Sequence, residues 1–408
     1  MSRSSPRALI VGGSVAGLFA ANLLRAVGWE VAVFERTRGD LGDRGTGIGT
    51  RAELFDVMRR LGLRDDPASR KEVEGRTRLA RDGSIALELP VRAVTSAWSH
   101  IWRPLRRALP DPCLHDGKTC VRVEQTATDV IAHFEDGTCE RGDLLVGADG
   151  LHSAVRAALL PALRPQYAGY VAWRGIVEAR DLALDLHEMM FRRMVFGCPD
   201  GELMLSIPMP AACLDAQPCG RRCHFVWFRP VAEAALADLC TDASGRRHGL
   251  SIPPPLIRPQ LIAALRSDAR ALLAPQLAAL VAATRQVILQ PIFDLASPAM
   301  VFERIVLIGD AAFVARPHVA TGVMKAALDA ECLADELAAS GGELRVALAR
   351  FDRARTSYGH WLVARGRHIG GYFSATGGDR EARMHTLMRE YGAAGIVRGE
   401  PIAAYRPS

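Results

Sequence analysis

The sequence predicts an α/β protein with a Rossmann-like domain, a second α+β domain built on a β-sheet, and a helical C-terminal region. Three apolar segments end in glycine, as parallel strands buried on both faces often do; they are 8–11, 144–147 and 304–309. Residues 167–290 instead carry patterns typical of a mixed or antiparallel sheet. With 408 residues, 49% of them hydrophobic, the chain is long enough for two joined domains.

The first forty residues predict a strand–turn–helix–strand unit. Residues 8–11 and 31–34 are apolar and short, as buried strands are. Between them, residues 18–27 place apolar side chains at helical spacing, and Gly28 follows where a C-terminal cap is expected. This order of elements is the βαβ unit of nucleotide-binding sheets.

The turn in this unit has the composition of a phosphate-binding site. Gly12 permits a tight turn, and Gly17 lets the helix approach the strand. The helix N-terminus offers free N–H groups to a pyrophosphate. Glu35 ends the second strand, where an acid can hold a ribose hydroxyl. Ser14 replaces the usual second glycine, and its hydroxyl can bond a phosphate oxygen. A plain βαβ unit without ligand, or a nucleophile elbow at Ser14, are the alternatives.

Two later segments repeat the pattern of a buried strand followed by an acid. Asp149-Gly150 follows the strand at 144–147, and a helix is predicted shortly after it. Gly309-Asp310 ends the strand at 304–309, followed by a loop and a helix that runs to about Ser340. As alternatives, Asp149 is a turn residue and Asp310 a helix N-cap.

These three segments, in this order, resemble the FAD-dependent aromatic hydroxylases, the flavoprotein monooxygenases typified by para-hydroxybenzoate hydroxylase. The resemblance implies that the first turn holds the FAD pyrophosphate, that Asp149-Gly150 supports the dinucleotide, and that Asp310 lies on the ribityl chain. Four stretches resemble the 2,6-dihydroxypyridine 3-monooxygenase branch: 44–48, 173–175, 227–230 and 316–322. Many relatives carry Pro-x-x-Gly-x-Gly where this chain has Ala320, so the loop does not identify the substrate.

The predicted FAD site combines these segments with residues placed by the resemblance. At the start of the last helix, the amides of Gly322, Val323 and Met324 are suited to the negative charge of a reduced flavin. The predicted FAD-binding residues are Gly12, Ser14, Val15, Ala16, Gly17, Glu35, Arg36, Arg44, Gly47, Arg103, Val121, Asp149, Asp310, Ala320, Gly322, Val323 and Met324.

A substrate pocket is predicted between the second sheet and the flavin. His318 is the predicted base or substrate contact, because histidine titrates near neutrality, and Pro317 lies beside it in the loop. A structural histidine is the alternative. The other predicted substrate-binding residues are Trp173, Met204, Trp227 and Phe228, with plain core positions as the alternative. No Cys-x-x-Cys pair exists among the nine cysteines, so no metal site is predicted.

The resemblance also implies a reaction. NADH or NADPH, bound transiently, reduces FAD; O2 then forms a C4a-hydroperoxide, which hydroxylates a hydroxylated aromatic or heteroaromatic ring. A hydroxypyridine is the first expected substrate, and a phenol or hydroxybenzoate the second. A flavin-dependent oxidase, reductase or epoxidase, and a non-catalytic nucleotide-binding protein, are the other hypotheses.

We expect a discontinuous FAD-binding domain (1–72, 96–166 and 291–341), a substrate domain (73–95 and 167–290) and a helical region (342–408). A hairpin over 76–89, with its turn at Asp82-Gly83, is expected to join the second sheet.

Charge and hydropathy restrict the partners. The net charge of +6 comes from scattered arginines, so we expect no nucleic-acid partner. No apolar run reaches about 18 residues, and no signal-like segment precedes the first strand, so we expect a cytoplasmic protein without membrane contact. A homodimer stays open.

Overall fold

The computed structural model describes residues 5–42, 46–64, 66–211, 220–249, 251–374 and 378–392. Its first large sheet has six strands, and four of its five strand pairings are parallel. In spatial order, the strands are β18 (Val301–Phe302), β19 (Ile305–Leu307), β12 (Leu144–Gly147), β1 (Arg7–Val11), β2 (Glu30–Glu35) and β8 (Leu114–Asp116).

The helices α1 (Val15–Ala26) and α9 (Gly322–Ala339) pack against each other beside this sheet. The predicted βαβ unit is therefore present, and Gly28 has a φ of 92° just beyond α1, as a C-terminal cap requires. The central strands β1, β12 and β19 are buried on both faces, which explains their unbroken apolar sequence.

The second large sheet has eight strands and is mainly antiparallel. In spatial order, they are β20 (Phe313–Val314), β17 (Ile288–Ala296), β13 (Gln166–Glu178), β16 (Arg222–Pro230), β15 (Leu203–Met209), β14 (Met194–Gly197), β5 (Arg76–Leu79) and β6 (Ile85–Leu89). The hairpin β5–β6 turns at Gly83, which has a φ of 92°, and joins this sheet as predicted.

The two faces of the second sheet pack against different elements. One face packs against α5 (His187–Arg192), α7 (Pro259–Leu272) and α8 (Pro275–Ala283) to form a separate core. The other face packs at one end against α10 (Leu344–Ser374) and α11 (Arg380–Glu390). The rest of that second face borders a cavity.

Smaller elements connect these layers. Two three-stranded sheets have the orders β3 (Gly47–Thr50), β7 (Ala93–Ala97), β4 (Arg70–Val73) and β11 (Cys139–Gly142), β10 (Val130–Phe134), β9 (Cys120–Gln125). The remaining helices are α2 (Ala52–Arg60), α3 (Trp98–Ala108), α4 (Ala154–Leu159) and α6 (Glu233–Leu239).

The predicted fold class and the helical C-terminal region are confirmed. The proposed domain boundaries stay a prediction, and β17 crosses the one at residue 291, because it pairs with β13 along the second sheet. Among the described residues, every helix is too short or too polar to cross a lipid bilayer.

Candidate active site

A cavity of about 1150 Å³ lies between the two large sheets. Gly12, Asp149 and Asp310, from three separate strand ends, all line it. The opposite wall comes from seven strands of the second sheet and includes Arg174 and His224. One continuous space therefore connects the edge of the parallel sheet, where such folds bind nucleotides, with the second sheet.

The turn between β1 and α1 can only be built with glycine at two positions. Gly12 has a φ of 110°, and a Cβ there would lie 2.5 Å from the carbonyl oxygen of Ala148. A Cβ on Gly17 would lie 1.8 Å from the carbonyl oxygen of Gly12. This close approach brings the start of α1 to the cavity, where Ser14, Val15 and Ala16 line the wall.

The N-terminus of α1 is suited to a pyrophosphate. Its N-cap, Ser14, has an extended backbone, and its hydroxyl makes no capping hydrogen bond to the helix within the described chain. Because the first residues of the helix line the cavity, the positive end of the helix dipole lies at its wall, where an anion can bind.

The two acids at this edge shape the turns that carry them. Glu35 accepts hydrogen bonds from the amides of Gly13 (2.8 Å) and Thr37 (2.9 Å). Asp149 accepts hydrogen bonds from the Ser153 hydroxyl (2.5 Å) and from the first amides of α4, the nearer at 2.7 Å. Burial raises the pKa of Asp149, against the effect of these hydrogen bonds. The Asp149 carboxylate therefore binds the N-terminus of α4. This role is similar to the alternative prediction, in which Asp149 is a turn residue.

Asp310 lies beside a buried lysine. Lys325, in the first turn of α9, is 1% exposed and lines the cavity. Its Nζ lies 3.6 Å from an Asp310 oxygen and 4.0 Å from an Asp329 oxygen, and makes no hydrogen bond to any described residue. Asp329 already bonds Arg355 and the amide of Gly309, at 2.8 and 3.0 Å. The ammonium group therefore retains unused donors at the cavity wall.

The second sheet presents a different set of residues to the cavity than predicted. Trp173, Trp227 and Met204 point to the opposite face, into the core formed with α7 and α8. Strand alternation explains the difference, because the neighbours Arg174 and Val226 then face the cavity. The prediction that these three residues line the pocket is not met, and their placement fits the plain-core alternative.

Phe228 and His318 also lie outside the cavity wall, in an aromatic cluster beneath it. The two rings are 4.5 Å apart, and Phe373 and Tyr391 pack around them. His318 is 0% exposed, and its Nε2 hydrogen-bonds the Tyr170 hydroxyl at 2.7 Å. Burial, assisted by two nearby arginines, lowers the pKa of His318 to about 3. Because His318 is buried, neutral and outside the cavity wall, we interpret it as a structural residue. Pro317, in contrast, lines the cavity.

Replacing His318 with glutamine should reduce the acid sensitivity of the fold. The folded pKa of about 3 lies below the unfolded value of about 6.5, so the unfolded chain binds an extra proton between these pH values. This histidine therefore costs no stability above pH 6.5 and progressively more below it. Between pH 7.5 and 5.0, the unfolding free energy of the wild type should fall by about 2 kcal/mol more than that of His318→Gln.

Urea unfolding of both proteins at several pH values measures this difference. His360→Gln, at an exposed position of α10, controls for the substitution itself. Parallel pH profiles for wild type and His318→Gln would contradict the structural assignment.

Only some of the remaining predicted cofactor residues line this cavity. Those that line the cavity are Arg36, Gly47, Ala320, Gly322 and Val323, together with the turn residues Gly12, Ser14, Val15 and Ala16 but not Gly17. Met324 is buried behind the wall, and Val121 is 56% exposed on β9, although its neighbour Cys120 lines the cavity. Arg103 borders a smaller cavity of about 710 Å³ beside Gly13 and Glu35. Arg44 lies outside the described residues.

The cavity residues that were missed from the sequence include Arg174, His224, Lys325 and Tyr391. Arg174 belongs to the stretch 173–175 that carried the family resemblance, and strict alternation along β13 and β16 would have pointed to it and His224. Tyr391 comes from beyond α11, where the Gly392 amide donates a hydrogen bond to the His318 carbonyl (2.8 Å). No local pattern indicates that this C-terminal segment reaches the cavity.

Comparison with known proteins agrees with this geometry. Residues 6–215 match the family model of an FAD binding domain, and residues 167–294 match an FAD binding domain-like model. The 2,6-dihydroxypyridine 3-monooxygenase of Paenarthrobacter nicotinovorans is 32% identical over 365 residues, which cover 88% of this chain and 89% of that protein. The chain belongs to the FAD-dependent aromatic hydroxylases.

A second relative and a solved structure also align with almost the whole length of the hydroxylase. The 6-hydroxynicotinate 3-monooxygenase of Pseudomonas fluorescens is 27% identical and covers 86% of this chain and 88% of its own length. The solved structure of 2,6-dihydroxypyridine-3-hydroxylase from Arthrobacter nicotinovorans superposes with a TM-score of 0.84, at 27% identity, over 100% of this chain and 98% of that one. The hydroxylase is thus a flavoprotein monooxygenase that uses FAD and NAD(P)H.

Proposed function

We propose that this hydroxylase adds one oxygen atom from O2 to a hydroxylated pyridine ring, with electrons from NAD(P)H. The observation that carries the proposal is the single cavity that runs from the glycine turn at Gly12 to the wall formed by the second sheet. It offers space for a dinucleotide at one end and an aromatic ring at the other. The names of the two relatives above, a dihydroxypyridine and a hydroxynicotinate monooxygenase, favour a pyridine over a benzene ring.

The glycine turn fits the FAD pyrophosphate, since a Cβ at Gly12 or Gly17 would collide with the backbone and displace the turn that brings α1 to the cavity. We assign the pyrophosphate to the N-terminus of α1, the adenosine side to Glu35 and Arg36, and the ribityl chain to Asp310. The amides of Gly322 and Val323, at the start of α9, supply a positive dipole end for the flavin ring. FAD, once reduced, supplies the activation of O2.

The residues of the hydroxylase itself orient the ring and exclude water. The loop from Pro317 to Ala320 and the segment at Tyr391 border the cavity beside the apolar side chains of the second sheet. Ala320 has a left-handed backbone with a φ of 51°, a conformation that favours glycine, and many relatives carry glycine at this position. These walls lower the local polarity and hold the substrate in one orientation.

The test is oxidation of NADH and of NADPH by the purified holoenzyme, with a panel of hydroxylated pyridines and phenols under ¹⁸O2. We expect hydroxypyridines to stimulate the oxidation most and one labelled oxygen atom to enter each product molecule. Peroxide release without an oxygenated product from any compound would favour a flavin oxidase. A purified protein that neither is yellow nor gains stability from added FAD would favour a non-catalytic role.

A further inference from the structure

Several positive charges around the cavity have partners within the protein. Arg316 forms an ion pair with Asp294 at 3.0 Å, and Arg76 donates hydrogen bonds to the carbonyl groups of Met388 and Tyr391. Arg174 differs from both. Its Nε makes no hydrogen bond to any described residue, and no carboxylate in the described part of the chain acts on its charge.

Arg174 is surrounded by protein, but its side chain keeps accessible surface toward the cavity. Burial lowers the pKa of its guanidinium group, yet arginine remains charged at neutral pH. A buried cation without a counter-charge is costly, because desolvation is not offset by an ion pair. An anionic ligand in the cavity would supply that missing counter-charge.

His224 is a second polar side chain without a partner on the same wall. It is 1% exposed, lines the cavity, and neither ring nitrogen makes a hydrogen bond to a described residue. In the pairing of β13 with β16, His224 lies opposite Ile176, whereas Arg174 lies opposite Val226. The two side chains are therefore diagonal neighbours on one face of the sheet.

The charge of this wall is one-sided. The second-sheet residues that line the cavity include two arginines and a histidine, but none of those described is an aspartate or glutamate. Burial and the charge of Arg174 lower the pKa of His224 well below its usual value, so its ring is neutral and offers one donor and one acceptor. An arginine beside a neutral histidine is suited to an anionic oxygen next to a second polar group.

We propose that Arg174 and His224 form an anion subsite that binds a negatively charged oxygen on the aromatic substrate. Arg174 pairs with the charge, and His224 hydrogen-bonds the same group or its neighbour on the ring. The oxygen belongs either to a ring carboxylate or to a deprotonated ring hydroxyl. The proposal rests on the proposed function only in taking the ligand to be the aromatic substrate.

The test compares ligand dissociation constants for the FAD-loaded wild type, Arg174→Gln and Arg174→Lys, from changes in flavin absorbance. Three probes separate the sources of the charge. They are 6-hydroxynicotinate, which has a carboxylate and an ionisable hydroxyl, 2,6-dihydroxypyridine, which has ionisable hydroxyls and no carboxylate, and nicotinamide, an uncharged analogue with neither group. Arg285→Gln, at an exposed position outside the cavity wall, is the matched control.

We expect Arg174→Gln to weaken at least one charged probe by about 10- to 100-fold and the uncharged analogue by much less. Arg174→Lys should retain part of the affinity, since a cation remains without the bidentate geometry. An effect confined to 6-hydroxynicotinate identifies the carboxylate as the source of the charge. An effect on both charged probes identifies the ring hydroxyl. An equal effect on all three probes, no effect, or no binding of either charged probe to the wild type would overturn the proposal.

The binding test gives its answer whether or not the wild type hydroxylates the probes. If the wild type hydroxylates none of the probes but Arg174→Gln still discriminates between them, the subsite stands and the proposed reaction fails. FAD content of both Arg174 variants should equal that of the wild type. Arg174→Gln should be at least as stable as the wild type, because it removes a buried charge without a counter-charge and leaves no partner exposed.

Discussion

Gly17→Ala is expected to yield a protein with at least about 100-fold weaker FAD binding, equivalent to about 3 kcal/mol. The added Cβ would lie 1.8 Å from the carbonyl oxygen of Gly12, within the backbone of the turn. Because backbone cannot rotate away as a flexible side chain can, the start of α1 must shift from β1. The amides that we assign to the pyrophosphate then move with it.

The measurement is titration of the apoprotein with FAD, followed by flavin fluorescence. Gly371→Ala is the matched control, because a Cβ at that position of α10 meets nothing within 4 Å and alanine favours helix. That control should bind FAD as the wild type does. Wild-type affinity in Gly17→Ala, with a normally folded protein, would contradict the assignment of the turn.

Lys325→Met should weaken FAD binding about tenfold or more without lowering the stability of the apoprotein. The ammonium group of Lys325 is buried at the cavity wall, with two long ion-pair contacts and no hydrogen bond to any described residue. Methionine removes that desolvation cost, and Asp329 keeps its bonds to Arg355 and to the Gly309 amide. The anionic cofactor would lose a nearby cation.

The prediction is specific because FAD affinity should fall while the stability of the apoprotein does not. Urea unfolding of the apoprotein should give an unfolding free energy equal to or above that of the wild type, whereas FAD titration shows the loss. Lys71→Met, on β4 and outside the cavity wall, controls for the removal of one lysine charge. If the Lys325 variant lost stability and kept its FAD affinity, the lysine would be part of the fold rather than of the cofactor site.

The parallel half of the fold could be predicted from the sequence because its signals are local. The strands at β1, β12 and β19 are unbroken apolar runs followed by glycine, and α1 ends where Gly28 stands. A parallel sheet brings the carboxyl ends of its strands to one edge. The convergence of Gly12, Asp149 and Asp310 on one cavity follows from that rule and was correctly predicted.

The substrate side was harder because both faces of β13 and β16 are covered. When one face meets helices and the other a cavity, large aromatic side chains occur on the packed face, and their size does not mark the pocket. Trp173 and Trp227 illustrate this, since their neighbours Arg174 and Val226 line the cavity. His318 illustrates a second limit, as its position in the loop did not reveal that aromatic rings bury it.

The most direct test of the whole account is an experimental structure of the holoenzyme with 6-hydroxynicotinate bound. It should show one FAD per chain, with its pyrophosphate at the N-terminus of α1 and its ring system in the cavity between the two sheets. The pyridine should lie between that ring system and Arg174. FAD bound at another surface, or a flavin ring directed away from the Arg174 wall, would contradict the account.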